Sequence, residues 1–491
     1  MQNYLGSKSI ESYQTFLNVR RCPVYKINGR MAEVPDEFAS KFGMAGKKLA
    51  SKYCPIDGLF DYQRDIADMA IKKKKYAVFL ECGLGKSLIA FEFCRHAVEV
   101  TGKKILIACP LMVARQSIAE AEKFYGPKLD IGHIAASQLE FWLRTKDGPS
   151  IGITNFEAIR QAFDTRNLCG LVIDESSMLK SAYGAWGERL IEMGRGLEFK
   201  LCLTGTPAPN DRIEFANHAV FLDRCRTVNE FLATYFINRG QTQNRWELKP
   251  HALKPFYRSL ANWAIFMTNP ATYGWKDNVG TMPPIKVHIH DVPLTHEQRL
   301  AAQTATGNLI TVSMGGIGDR GKLSQIAKGK DGMPTNKPGY IRDLIASWPS
   351  ESTLVWCKYN QEQETMESVL EGCASIHGTT SEEARYALID DFKQQRRMQL
   401  VTKPKILGYG LNLQVATRQV FSGICDSFEL YHQAVKRSNR VGSTRELNVH
   451  IPVTELETPF IDNVLRKADR VQQDTEAQES MFKEIGYDFV G

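Results

Sequence analysis

The chain has 491 residues, more than a single hydrophobic core organises, so two or more domains are expected. Hydrophobic residues make up 43% and charged residues 24%, a globular balance that excludes a disordered or fibrous chain. The net charge of +7 permits a nucleic-acid partner without demanding one, and eleven dispersed cysteines with no Cys-x-x-Cys argue against a disulfide framework or a zinc site. Residues 1–50 read as an appendage, with "VYKINGRMAEV" a hairpin turning at Asn28-Gly29. The opening "MQNYLGSKS" has no apolar signal core, and no apolar run reaches the roughly 18 residues of a membrane span, so a cytoplasmic protein with no membrane partner is expected.

From about Asp61 short apolar strands alternate with helical stretches: "YAVFLE", "ILIAC", "IGITN", "LVIDE" and "LCLTG". Continuous apolar runs between helices predict a parallel sheet covered on both faces. The run Lys72–Lys75 falls where a helix ends, which suits dipole compensation. Residues 211–280 lose the alternation, gain aromatics and read as a mainly helical insertion. The stretches "SMGGIGDRGK" at 313–322 and "KGKDGMPTNKPG" read as flexible loops. The strand–helix texture then returns in "STLVWCKY", "ASIHG", "MQLVTK", "RQVFSG" and "LNVHIPV". "HIH" at 288–290 puts two imidazoles on one strand face, but no third ligand is nearby. The expected organisation is an appendage at 1–50, one α/β lobe at 51–280 that includes the insertion, a second at 281–465, and a polar, helical tail at 466–491.

Four segments carry chemistry. "FLECGLGKSLIAFEF" is strand, glycine loop and helix, in which Gly83, Leu84, Gly85, Lys86 and Ser87 form a phosphate cradle. Lys86 reaches the β and γ phosphates and Ser87 holds Mg²⁺, although Leu80 stands where the strict pattern has its first glycine. "LVIDESS" ends a strand in Asp174 and Glu175. There Asp174 can hold Mg²⁺ and Glu175 can orient and deprotonate water. "LCLTGTP" ends another strand in Thr204, Gly205 and Thr206, whose hydroxyls can sense a γ-phosphate. In "YHQAVKRSNRVGS", Gln433, Arg437 and Arg440 are spaced to share one stripe of a helix at 428–441. Ordinary helix capping before Gly442 also accounts for that stripe.

In order, these blocks resemble the superfamily-two helicases, and among them the Swi/Snf-like DNA-translocating ATPases, from about residue 59 to 455. "LFDYQRDIA", "ILIACPLMV", "IGITNFEAI", "PLTHEQ", "SQIAKG", "SIHGTTSEEAR" and "ILGYGLNLQ" complete the set. The chain is compact, like bacterial or bacteriophage members. The resemblance implies two RecA-like lobes with ATP and Mg²⁺ as cofactors in the cleft between them. It implies that Tyr62 and Gln63 recognise adenine and that Gly410 belongs to the fifth motif. Gln433, Arg437 and Arg440 would act on the γ-phosphate, the two arginines as fingers. Nucleic-acid contacts fall to Pro110, Leu111, Thr154, Asn155, Lys358, His377, Gly378 and Asn412, residues suited to backbone phosphate. DNA, with duplex favoured, is the implied partner, alongside proteins of replication, recombination or defence. Ser176 and Ser177 follow the acid pair where the family usually has Ala or Cys and then His, and Ser443 replaces a final glutamine.

Three other readings compete. A strand-separating helicase on DNA or RNA shares every block. A small-molecule P-loop kinase has no need of a second lobe ending in an arginine stripe. A non-catalytic scaffold has no need of Lys86, Asp174, Glu175 and Arg437 together. No nuclease or methyltransferase constellation is apparent.

Overall fold

The computed structural model describes residues 2–4, 9–21, 25–34, 53–161, 163–180, 185–240, 246–278, 283–306, 317–407, 411–424, 427–440 and 443–485. The chain divides into two compact units, one of residues 1–278 with 471–491 and one of residues 279–470.

Among the described residues, seven strands form the sheet of the first unit. Across it they run Ala264–Met267, Lys75–Leu80, Phe199–Thr204, Leu168–Asp174, Lys104–Cys109, Ile151–Asn155 and Ile131–His133. Every pairing is parallel. The apolar runs are buried along their whole length in Lys104–Cys109 and Phe199–Thr204, as helices on both faces require. The two lysines at or near the strand starts are buried with partners. Lys104 Nζ donates to Trp142 O at 2.8 Å, and Lys200 Nζ donates to Asp223 Oδ2 at 2.8 Å. All five expected strands are present. Two more were not read from the sequence: the short Ile131–His133, and Ala264–Met267 inside the stretch expected to be mainly helical. That stretch does hold helices Phe215–Phe221, Val228–Tyr235 and Leu253–Trp263. Phe256 is the hub of its aromatic core, with the rings of Phe215, Phe231, Tyr235, Phe236 and Tyr257 at 5.4–6.1 Å.

The last helix, Thr458–Ile485, gives the first unit its final element from residue 471 onward. Asp474 accepts from Arg212 Nε at 3.1 Å and from Tyr257 Oη at 3.0 Å. Glu479 accepts from the backbone and hydroxyl of Thr268 at 2.7 and 2.8 Å. Met481 and Phe482 are buried, so this tail is amphipathic rather than polar throughout.

In the second unit six described strands are parallel, in the order Ile285–Asp291, Leu447–Val453, Arg418–Phe421, Thr353–Trp356, Gln399–Thr402 and Ala374–Ser375. His288 and His290 do share a face. His288 Nε2 meets Asn448 Oδ1 and His290 Nε2 meets His450 Nδ1, both at 2.9 Å. No metal-competent cluster occurs among the described residues. Of the expected loop at 313–322, residues 317–322 instead begin the helix Ile317–Ala327, while 313–316 lie outside the described residues. In the appendage, strands Lys26–Asn28 and Met31–Glu33 pair with Gly29-Arg30 as the loop, one residue later than expected. Gly29 takes the left-handed φ of +61° that such a turn demands.

Candidate functional site

The strand Lys75–Leu80 passes into the glycine loop, and helix Lys86–Thr101 begins directly after it. Gly83 and Gly85 have φ of +91° and +70°, a region that residues with a β-carbon resist. A β-carbon on Gly85 would lie 2.2 Å from Gln63 Nε2. Gln63 is therefore packed onto the loop. Its amide nitrogen donates to Leu84 O at 3.4 Å, and its amide oxygen accepts from Phe60 N at 3.1 Å. Tyr62 Oη also donates to Leu84 O, at 3.1 Å. The two residues given to adenine recognition thus brace the loop in this structure. Lys86 Nζ donates to Leu80 O at 2.8 Å and Glu81 O at 3.3 Å, which holds the ammonium over the loop.

The acid pair closes the adjacent part of the same edge. Asp174 ends its strand, and its Oδ1 accepts from Glu175 N at 3.0 Å. Burial first, then the charge of Glu175, push the Asp174 carboxyl up to about 7, against the pull of Lys86. A carboxyl in that position favours a neighbouring cation. Carboxylate and hydroxyl oxygens, the groups that Asp174 and Ser87 carry, are the donors Mg²⁺ takes. Glu175 has φ +55°, and its carboxylate accepts from Thr204 Oγ1 at 3.3 Å. Thr204 Oγ1 also accepts from Thr206 N at 3.1 Å, and the buried Thr206 hydroxyl has no partner among the described residues. Gly205 lies near Cys82, with its β-carbon position 3.6 Å from Cys82 Sγ. The phosphate loop, acid pair and threonine segment therefore follow three neighbouring strands.

In the second unit the helix runs only over Phe428–Val435, so the expected stripe to residue 441 is broken. Arg437 and Arg440 sit in the turns beyond it. Arg437 is 1% exposed and donates from Nε to Gln433 O at 2.9 Å, satisfying a carbonyl at the end of its own helix. Both guanidinium groups converge on Leu411 O, from Arg437 Nη1 at 3.2 Å and from Arg440 Nη1 at 3.4 Å. Arg440 is the half-buried one. Gln433 is buried, and its amide oxygen has no partner among the described residues. Ser443 caps this turn by accepting from Arg440 N at 3.1 Å, and Gln414, which sequence reasoning missed, donates to Arg440 O at 3.3 Å. Gly410 and Gly442 lie outside the described residues.

The nucleic-acid candidates divide. Pro110 follows the strand Lys104–Cys109 and Asn155 ends the neighbouring strand, with Leu111, after Pro110, 52% exposed. Asn155 Oδ1 accepts from Ala158 N at 2.8 Å, which caps a short turn. Thr154 is fully buried and donates to Ile134 O at 2.8 Å, so its side chain works inside the sheet. Lys358 Nζ donates to Ser324 Oγ at 3.0 Å and lies 5.1 Å from the Tyr359 ring centroid. His377 pairs through Nε2 with Glu367, and its backbone N–H donates to Thr380 Oγ1 at 2.9 Å. Gly378 and Asn412 are exposed.

Residues 336–442 match the helicase conserved C-terminal domain. The chain is 24% identical over 438 residues to the DNA annealing helicase and endonuclease ZRANB3 of Mus musculus, and 22% identical over 442 residues to that of Bos taurus. Each alignment covers 82% of this chain and 38% of the relative, so the chain spans well under half the length of these relatives. Among solved structures, the Sulfolobus solfataricus SWI2/SNF2 ATPase core in complex with dsDNA aligns at 19% identity with a TM-score of 0.41, covering 89% of this chain and 99% of that chain.

Proposed function

We propose that this chain, which resembles the Swi/Snf-like superfamily-two helicases and carries a helicase conserved C-terminal domain at 336–442, is a nucleic-acid-dependent ATPase that translocates on duplex DNA. The observation that carries the reading is the meeting of three loops on one edge. Lys86 comes after the strand Lys75–Leu80, while Thr204 and Asp174 end the strands Phe199–Thr204 and Leu168–Asp174, and the three strands are consecutive in the sheet. Parallel sheets bind ligands at that edge. When bound, ATP with Mg²⁺ supplies the transferable phosphoryl group and part of the charge that neutralises it. The backbone N–H groups of 83–87 hold phosphate, and Lys86 exchanges its loop carbonyls for phosphate oxygens. Ser87 and Asp174 hold the cation. Glu175 orients the attacking water and takes its proton. Within the second unit the buried Arg437 holds the turn that carries Arg440, the arginine to which the resemblance gives the charge of the transferring phosphoryl group.

The relatives are named as DNA helicases, which favours DNA as the track. The test is displacement of a third strand from a triplex, which requires travel along intact duplex. The reading expects ATP-dependent displacement and weak unwinding of a free fork. Efficient fork unwinding without triplex displacement overturns it in favour of a strand-separating helicase.

A further inference from the structure

His218 comes from helix Phe215–Phe221 and lies entirely inside the first unit, at 0% exposure. Its Nδ1 faces Glu214 O at 3.3 Å and its Nε2 faces Ser176 Oγ at 3.1 Å. A main-chain carbonyl only accepts, so Nδ1 carries the proton, Nε2 is the acceptor, and the Ser176 hydroxyl donates to it. The ring stands edge-on to Phe79 at 5.3 Å, on the strand that leads into the phosphate loop. The preceding residue, Asn217, donates from Nδ2 to Leu179 O. Two consecutive side chains of one helix therefore grip both ends of the short turn Ser176–Lys180.

That turn begins immediately after Glu175. A glutamate at φ +55° is strained backbone and persists only when its surroundings hold it. The turn closes on Glu175 through Met178 N, which donates to Glu175 O at 3.0 Å. The helix that grips the turn is itself tied to the segment leaving the threonines. Asn210 donates from its backbone and its amide to Glu214 at 3.0 and 2.9 Å. Ser177, by contrast, is buried with its hydroxyl unpartnered among the described residues, so it makes no such link.

We infer that His218 is a positioning residue for Glu175: through the Ser176 hydroxyl it locks the strained backbone that aims the general base, and it ties the acid pair to the Thr204–Thr206 segment. This rests on the ATPase reading above. Ser176→Ala removes the donor with almost no change in volume, and His218→Leu removes the acceptor. His218→Gln keeps an oxygen able to accept from Ser176. The assay is steady-state ATP hydrolysis by the full chain with saturating duplex DNA, alongside equilibrium binding of a fluorescent ATP analogue and thermal melting.

The inference expects kcat to fall about 10-fold or more in Ser176→Ala and His218→Leu, with nucleotide affinity within about threefold. It expects His218→Gln to recover most of the loss. It expects the double variant to be no worse than the poorer single, because both remove one bond. In a Glu175→Gln background, neither change should lower the residual rate further. Unchanged kcat in folded Ser176→Ala, or a full additional loss in the Glu175→Gln background, overturns the inference and leaves the ATPase reading standing. Absence of any turnover by the unmodified chain overturns both.

Discussion

The second unit holds a buried ion triad whose disruption has a calculable size. Glu457 is 1% exposed, and its two oxygens accept from Lys328 Nζ and Lys337 Nζ at 2.6 Å each. Thr454 donates to the same carboxylate from its backbone and hydroxyl at 3.2 and 3.1 Å. Burial opposes ionisation, but the two lysines outweigh it and hold the carboxyl at about 2. The lysines divide one counter-ion. Burial works against each, yet Glu457 and Glu362 raise Lys328, whereas burial prevails at Lys337 and lowers it. The network is packed tightly enough that a β-carbon on Gly423 would lie 2.6 Å from both Glu362 Oε1 and Lys328 Cε. Glu457→Gln leaves two interior ammonium groups without a carboxylate, a change that costs about 3–5 kcal/mol. Linkage gives a similar figure: a carboxyl lowered from 4.5 to about 2 contributes about 3 kcal/mol. Because the folded value is depressed, that stability is present above pH 4.5 and is lost as pH falls towards 2. Urea unfolding near pH 7.5, followed by tryptophan fluorescence and fitted as two transitions, should show one transition moved by that amount. Simultaneous replacement of Lys328, Lys337 and Glu457 by methionine should recover most of it. A Glu457→Gln protein within about 1 kcal/mol of the unmodified chain would refute the reasoning.

Glu175→Gln should bind ATP normally and fail to turn over, checked by analogue binding beside a phosphate-release assay, since the phosphate and cation contacts remain while the base is gone. Arg440→Ala should cut hydrolysis by roughly 10³ or more at unchanged melting temperature, whereas Arg437→Ala should also lower the melting temperature, because its guanidinium caps Gln433 O and Leu411 O in the interior. Burial holds His218 down at about 4, against 6.5 in the unfolded chain, so the unfolded state takes up its proton first as pH falls. The stability His218 confers is complete above pH 6.5 and declines by about 3 kcal/mol in total down to pH 4. Melting profiles of the unmodified chain and His218→Gln should therefore diverge across that window, and parallel profiles would contradict the assignment.

What could be read from the sequence was whatever local pattern determines. Apolar runs between helices identified ten strands, because a strand buried on both faces must be apolar along its length. The left-handed backbone at Gly83 and Gly85 was legible because glycine is the residue that adopts it without strain. Ala264–Met267 was missed because four apolar residues after an amphipathic helix carry no periodicity of their own, and only pairing with Lys75–Leu80 makes them a strand. The stripe of Gln433, Arg437 and Arg440 obeyed helical spacing, yet the helix stops at Val435, where Arg437 turns back on Gln433 O. His218 left no signal, since its partner Ser176 is 42 residues away and only tertiary folding joins them. The tail was legible as a helix but was read as polar, because its contacts are long-range: Asp474 meets Arg212 and Tyr257, Glu479 meets Thr268, and Phe482 packs on Tyr273.

The most direct test of the central claim is ATP hydrolysis by the purified chain with no nucleic acid, duplex DNA, single-stranded DNA and RNA side by side, at several salt concentrations. Duplex should stimulate turnover most. Its apparent affinity should depend little on sequence and should fall with log salt at a slope near −4 to −5, as about five neutralised phosphates require. Hydrolysis that no nucleic acid stimulates, or that single strands or RNA stimulate more than duplex, would contradict the account of this chain as a duplex-DNA motor.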